Sequence, residues 1–337
     1  MKRCSRCVLP ETFPGIRFDE AGVCNYCLDY AARKEPELKV ARAKQKFEEL
    51  AASVRGRPGY HCVLAYSGGK DSTYTLWLLR EHYDLRVLAV TFDNGFLSAG
   101  SFENIRRMVE KVNADHLLVK PRFDLLRGLF AQVARTSPFP PAALERASSI
   151  CNACIALVKG ATLRVALEQR VPLIAYGWSP GQAPVSAAVF QFNRPMLRQM
   201  QQARMAPLLA VAGDALRPYM LGEEHLDSGQ PLPYSVNPLA FEGYDEQRII
   251  DKIKQLGWEP PADTDGNSSN CLLNSLANQL HLADHGFHPY AFEIAGLVRA
   301  GAISRSEGIE KLENLGSSKV AGEVAGRLGL AMENEGK

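Results

Sequence analysis

The sequence predicts an α/β fold: a doubly wound parallel sheet, with a zinc-ribbon-like module at the N-terminus and a helical part at the C-terminus. Three observations predict it. Short apolar runs alternate with helical segments through the middle of the chain, the first of those runs ends in a serine-glycine turn, and two Cys-x-x-Cys pairs open the sequence.

The N-terminal module spans residues 1–31. Cys4 and Cys7, then Cys24 and Cys27, stand sixteen residues apart, among turn formers that include Pro10, Pro14, Gly15 and Gly22. A segment this small has little core of its own, and the paired thiolates suit tetrahedral zinc. A redox dithiol needs one pair rather than two. Four thiolates leave no open coordination position, so the zinc is expected to hold structure, not to catalyse. Residues 32–57 read as a linker helix, with amphipathic spacing from Glu37 to about Ala52 and Pro36 at its start.

Residues 58–240 carry the βα alternation. The run Cys62-Val63-Leu64-Ala65-Tyr66 leads into Ser67-Gly68-Gly69-Lys70-Asp71-Ser72, and Thr73 to Glu81 reads as a helix. Further strands are expected at Leu85 to Phe92, around His116 to Val119 and at Pro172 to Gly177, with helices such as Phe102 to Val112 and Ile155 to Gln169 between them. An insertion at about 178–240 is rich in Pro, Gln and Met. It shows no strong strand pattern and is expected to be a long loop with a helix near Pro195 to Met205, suited to a lid or an acceptor site. Residues 241–330 read as helices and carry Cys271, with Ser304 and Glu307 as a capping box and Gly316 as a stop. The end from about Ala331 is expected to fray.

The chain has 337 residues, 46% hydrophobic and 23% charged, with a formal net charge of +2. That balance allows nucleic-acid binding without indicating it. Met1-Lys2-Arg3-Cys4 is not followed by an apolar leader, and no apolar run is long enough to span a bilayer, so a cytoplasmic protein without a membrane partner is expected. In a reducing compartment the eight cysteines are expected to bind metal or do chemistry.

A turn of this composition between a buried strand and a helix points backbone N–H groups at one spot, where the helix dipole also favours an anion. Gly68 and Gly69 permit close approach, Lys70 adds a mobile positive charge, Ser67 and Ser72 add hydroxyl donors, and Asp71 is placed to orient the loop or a magnesium ion. These six residues resemble the PP-loop superfamily, the adenine nucleotide alpha hydrolases. The resemblance implies a HUP-like sheet, ATP cleaved between its alpha and beta phosphates with Mg2+, and AMP passed to an acceptor oxygen before a nucleophile displaces it. It gives Lys70 and Asp71 catalytic roles. By analogy it also places Asp93, in Thr91-Phe92-Asp93-Asn94-Gly95, and Gly177, at the end of the fourth strand, beside the nucleotide.

Cys151-Asn152-Ala153-Cys154 opens a helix whose dipole is expected to lower a thiol pKa and make the pair reactive. Cys271 follows the polar stretch from Asp263 to Asn270. Three cysteines can hold a 4Fe-4S cluster and leave one iron open, whereas Cys62 lies in a strand and reads as core. The loop followed by Cys-x-x-Cys and one distant cysteine resembles the tRNA thiolation enzymes of the superfamily, which implies an iron-sulfur site on Cys151, Cys154 and Cys271. The opening from Cys4 to Pro10, Phe18-Asp19-Glu20 and Cys24-Asn25-Tyr26-Cys27 resembles the N-acetyl sugar amidotransferases instead. So do Leu256-Gly257-Trp258, Asn270 to Asn274 and Gly301 to Gly308. Gly177-Trp178-Ser179-Pro180-Gly181-Gln182 lacks the carboxylates that thiolation enzymes carry after the fourth strand, which leaves a second magnesium ligand unassigned.

The expected activity is adenylation of a small-molecule or RNA acceptor, then replacement of its oxygen by sulfur, with Cys151 and Cys154 catalytic. The alternative is an amidotransferase that uses ammonia on a nucleotide sugar, and a third reading is a noncatalytic ATP-sensing scaffold. The first calls for a sulfur carrier as partner and the second for a glutaminase; either allows a homodimer. His281, His285 and His288 read as surface or core residues; Arg194, Arg198 and Arg204 could touch an anionic acceptor but read first as a solvated helix face.

Overall fold

Six strands form one sheet in the order β3-β2-β1-β4-β6-β5. They are β1 (Cys62–Ala65), β2 (Val87–Phe92), β3 (Asp115–Val119), β4 (Leu173–Tyr176), β5 (Val189–Gln191) and β6 (Tyr234–Val236). The computed structural model describes residues 1–32, 36–227, 229–264 and 270–331. All neighbours pair in parallel except β5 with β6, which is antiparallel. β1, β2 and β4 are almost wholly buried and rich in Val, Leu, Ile and Ala, the composition of strands covered on both faces.

The four expected strands are present, and the doubly wound α/β class holds. The insertion differs from expectation. Residues 178–240 supply β5 and β6 besides the helices Arg194–Arg204 and Ala206–Ala212. Three-residue strands such as Tyr234–Val236 are too short to show an alternation, so they are legible only from the partners they find.

Order reverses at β1. β2 and β3 extend the sheet to one side of it and β4 to the other, so the connections leaving the C-terminal ends of β1 and β4 diverge. Ala65 pairs with Val90 on one side and Tyr176 on the other, which sets the three strand ends level. In such sheets the crevice at this point is where ligands bind.

The helix Ser149–Glu168 crosses the sheet below that crevice and begins before the Cys-x-x-Cys pair, not after it. It is the one helix among the described residues long and apolar enough to cross a membrane, contrary to expectation, yet 61% of its apolar window is buried inside the protein. Its length and composition are those of a core helix: Ile150, Ala153, Leu157 and Ala161 pack against Leu126, Phe130 and Leu276.

The N-terminal module shares a core with the C-terminal helices. Val8, Leu9 and Phe13 pack with Phe287, Ile294 and Leu312. Arg305 donates from Nε to the carbonyls of Cys4 and Cys7 at 3.2 and 3.0 Å. The linker helix runs Pro36–Arg55, and Phe47, Ala51 and Val54 sink into the core of the main sheet. At the far end, Ser304 Oγ accepts from Glu307 N and Glu307 Oε2 accepts from Ser304 N, a capping box that starts the helix Arg305–Glu313. The expected polar stretch before Cys271 lies in part, and the expected frayed end almost wholly, outside the described residues.

Candidate active site

The phosphate-type loop sits at the C-terminal end of β1. Gly68 has φ +75°, and a Cβ there would stand 2.7 Å from Ile105 Cγ1 and 2.8 Å from the Ser101 carbonyl, so both conformation and space demand glycine. Trp258 Nε1 donates to the Gly68 carbonyl at 2.9 Å and pins the turn from behind. The helix Lys70–Trp77 starts at once, with Gly69 as a cap that offers no side-chain acceptor. The first turn of that helix therefore presents its N–H groups toward the crevice without a side-chain cap. Ser67 Oγ and Ser72 Oγ lie 3.1 Å apart across the turn.

Lys70 Nζ lies 2.9 Å from Asp71 Oδ2, 3.3 Å from Tyr244 Oη and 3.5 Å from Glu246 Oε1. Burial opposes its charge, but Asp71, Tyr244 and Glu246 hold its pKa well above the ordinary lysine value. Tyr244 Oη also donates to Asp71 Oδ1 at 3.2 Å, and Lys311 Nζ lies 3.2 Å from Glu246 Oε2. Tyr244 and Glu246 escaped the sequence reading, because nothing local marks a residue 170 or more positions from the loop as its neighbour.

Glu293, from the helix Ala291–Arg299, comes to the segment where carboxylates were lacking. Ser179 Oγ donates to its Oε1 at 2.9 Å. Burial raises its pKa to about 7, while Ser179 and the charge of Lys70 pull the other way. The chain thus supplies an acidic group after β4 from its C-terminal part.

A cavity of about 250 Å³ opens at the ends of β1, β2 and β4. Ser67 and Ser72 of the loop line one part of it, and Cys151, Cys154 and Cys271 line another; Gly177 lies on its wall. A Cβ on Gly177 would stand 2.7 Å from Ser72 Cα, so glycine lets β4 approach the loop helix. Asp93 takes a different place. Its Oδ1 accepts from Gly95 N at 2.8 Å and its Oδ2 lies 3.0 Å from Lys120 Nζ, while the neighbouring Asn94 lines the cavity.

Asn94 Nδ2 lies 3.5 Å from Cys154 Sγ and 3.4 Å from Cys271 Sγ, one amide reaching two sulfurs. Main-chain pairing delivers Cys271: Leu272 N donates to Phe96 O at 2.9 Å and Ser98 N to Asn270 O at 3.1 Å. Cys151 Sγ lies 4.0 Å from Asn274 Oδ1, which also accepts from Tyr290 Oη at 2.9 Å. The expected low thiol pKa is corrected for Cys154. Burial, with the charges of Cys271 and Cys151, pushes it up to about 12, and the Asn94 amide only partly offsets this. Cys154 lies in the second turn of its helix, where the dipole has faded. Among the described residues only the four N-terminal sulfurs close on a single ion, whereas Cys151, Cys154 and Cys271 line one cavity, a spread that suits a larger soft cluster, whose positive charge would keep them as thiolates.

The four N-terminal sulfurs lie within 4.8 Å of one another, with Cys4 to Cys27 at 3.9 Å and Cys7 to Cys24 at 3.7 Å. A tetrahedral ion with bonds of about 2.3 Å to sulfur requires edges of about 3.8 Å, so the donor set fits zinc. N–H groups of Arg6, Cys7 and Cys24 point at Cys4 Sγ from 3.4, 3.4 and 3.2 Å. Burial opposes the Cys4 thiolate, but these N–H groups bring its pKa down to about 7. Burial and the neighbouring Cys7 push Cys24 up to about 12. Such a set ionises together only around a cation.

No family model matches the chain. It is 26% identical over 331 residues to an uncharacterized protein of Methanocaldococcus jannaschii, a match that covers 97% of this chain and 99% of the relative. Among solved structures it is similar to the tRNA thiolase NcsA of Methanococcus maripaludis, solved with its 4Fe-4S cluster. That likeness has a TM-score of 0.37 and 14% identity, and covers 100% of this chain and 92% of the thiolase. It is also similar to the NMN synthetase of Francisella tularensis, at TM-score 0.39 and 11% identity over 90% of this chain and 100% of that one. The NAD+ synthetase of Burkholderia pseudomallei follows at 0.34 and 18%, over 92% and 95%.

Proposed function

We propose that the chain is an ATP-dependent enzyme of the PP-loop type, which adenylates an acceptor oxygen and replaces that oxygen with sulfur. The observation that carries this is the single cavity shared by Ser67 and Ser72 of the loop and by Cys151, Cys154 and Cys271. An acceptor carbonyl oxygen attacks the alpha phosphorus of ATP, the bond from that phosphorus to the bridging oxygen breaks, and pyrophosphate leaves. Sulfide then adds to the acceptor carbon, and the C–O bond breaks with AMP as the leaving group, so carbon exchanges oxygen for sulfur. No net oxidation occurs.

The protein's part is mostly positioning and charge stabilisation. Loop N–H groups and Lys70 hold the departing pyrophosphate, while Asp71, Tyr244 and Glu246 keep Lys70 charged and in place. Magnesium, bound with the nucleotide, would find carboxylate oxygen at Asp71. A cluster on Cys151, Cys154 and Cys271 would supply a site for sulfide at its open iron. The N-terminal zinc would fasten the module against the C-terminal helices, where Arg305 already grips the carbonyls of Cys4 and Cys7.

The resemblance of the N- and C-terminal segments to sugar amidotransferases supports a second reading, with ammonia from a glutaminase as the nucleophile. Pyrophosphate release measured with Lys70→Ala tests the shared first step. A fall of about 100-fold or more is expected, as for loss of a main transition-state charge contact, and an unchanged rate refutes the role of the loop. Mass analysis of products formed with sulfide or with ammonium then separates the two nucleophiles.

A further inference from the structure

The helix Arg305–Glu313 runs from the N-terminal module to the partners of the loop lysine. At its start, Arg305 donates to the Cys4 carbonyl from Nη2 at 3.0 Å and from Nε at 3.2 Å, and to the Cys7 carbonyl from Nε at 3.0 Å. In its middle, Gly308 sits tight against two neighbours: a Cβ there would stand 2.8 Å from Val298 Cγ2 and 3.0 Å from Val8 Cγ1. Leu312 is buried in the core that the helix shares with Val8, Leu9 and Phe13. The helix is thus fixed along its length. Near its other end, about 9 Å along the axis from Arg305, Lys311 Nζ reaches both oxygens of Glu246, at 3.4 Å from Oε1 and 3.2 Å from Oε2. Glu246 Oε1 is also the atom that lies 3.5 Å from Lys70 Nζ.

An exposed ion pair contributes little. Here the side chains of Lys70, Glu246 and Lys311 are largely buried, and one carboxylate is shared between two cations. Burial opposes the Glu246 charge, while Lys70 and Lys311 together hold its pKa below the ordinary carboxylate value. Lys311 therefore takes up part of the negative charge that faces Lys70. Without it, Glu246 would pull on Lys70 as the remaining cation among the described residues, in competition with a phosphate in the loop. We infer that Lys311 is a positioning residue for Lys70: through Glu246 it leaves Lys70 able to turn to the phosphates, and Arg305, on the carbonyls of Cys4 and Cys7, anchors the helix that carries it. The N-terminal module thereby takes part in nucleotide binding from a distance. The inference rests on the ATP reading above, because it acts through the lysine that holds the pyrophosphate part.

The test measures binding of α,β-methylene-ATP and of AMP to the full chain by titration calorimetry. Lys311→Met should weaken the analogue about five-fold or more, at the low end of couplings between sites. AMP carries no beta or gamma phosphate for Lys70 to hold, so its affinity should stay within about two-fold. Arg305→Met should show the same selective loss, and Lys311→Arg should restore binding of the analogue. In a Lys70→Met background, Lys311→Met should change the affinity for the analogue by less than about two-fold, since residues that act through one another do not add. An unchanged affinity for the analogue in Lys311→Met or in Arg305→Met overturns the inference, as does a Lys311→Arg protein no better than Lys311→Met. So does an equal loss of AMP, which marks a general effect on folding, and so does a Lys311→Met loss that persists in full without Lys70. An analogue that fails to bind wild type, or binds Lys70→Met equally well, strikes the ATP reading itself and takes the inference with it.

Discussion

Gly177→Ala tests how the end of β4 meets the phosphate loop. The added methyl would stand 2.7 Å from Ser72 Cα and 2.8 Å from both Asp71 O and Ser72 N. Ordinary carbon contacts begin at about 3.5 Å, so strand and loop must part by about 0.8 Å. All three obstructing atoms are main chain, and no rotamer change relieves them. Overpacking of this kind costs about 1–3 kcal/mol. At about 2.1 cal/mol/K per residue, a loss of about 2 kcal/mol lowers Tm by about 3 °C. The functional effect should be larger, since a misplacement near 1 Å at a reacting centre costs up to about 100-fold in rate. Differential scanning calorimetry and a pyrophosphate-release assay read the two effects. Gly128→Ala is the control: it lies exposed within the helix Phe123–Thr136 with nothing within 4 Å of the new methyl, and should gain about 0.5–1 kcal/mol. A Gly177→Ala protein that melts and turns over like wild type would refute the claim that this contact positions the loop.

Purified protein should carry one zinc per chain by elemental analysis. Cys24→Ser should lose it and expose the Phe13 and Phe287 core to a hydrophobic dye; full retention of metal would refute the four-thiolate site. Anaerobically prepared protein should be brown and lose its visible absorbance in Cys271→Ala, while Asn94→Ala should shift the reduction potential without abolishing the colour. Glu293 has a folded pKa raised to about 7, above its ordinary value of 4.5, so the folded state binds the extra proton between those values. Its stability contribution is present below pH 4.5 and is lost as pH rises toward 7; Glu293→Gln should flatten that part of the stability-pH curve, and an unchanged slope would refute the burial argument.

The sequence by itself determined what lies close along the chain. The strand, the loop and the helix run without a break from Cys62 to Trp77, and the strand-to-helix setting follows from local pattern. So does the capping box of Ser304 and Glu307. The paired N-terminal cysteines were legible for the same reason, since their spacing alone brings four sulfurs within reach of one ion.

Tertiary structure decided the rest. β5 and β6 are three residues each, too short for periodicity, and exist because an open edge of β4 offers partners. Tyr244 and Glu246 reach the loop, and Glu293 the segment after β4, from the C-terminal part, a placement set by helix packing and invisible to any local window. The Cys154 pKa turned on burial rather than on the helix dipole, because desolvation depends on every neighbour at once whereas the dipole can be read from position alone. Local geometry is written in adjacent residues; electrostatics and cavities belong to the assembled fold, where segments far apart in sequence exclude the same water.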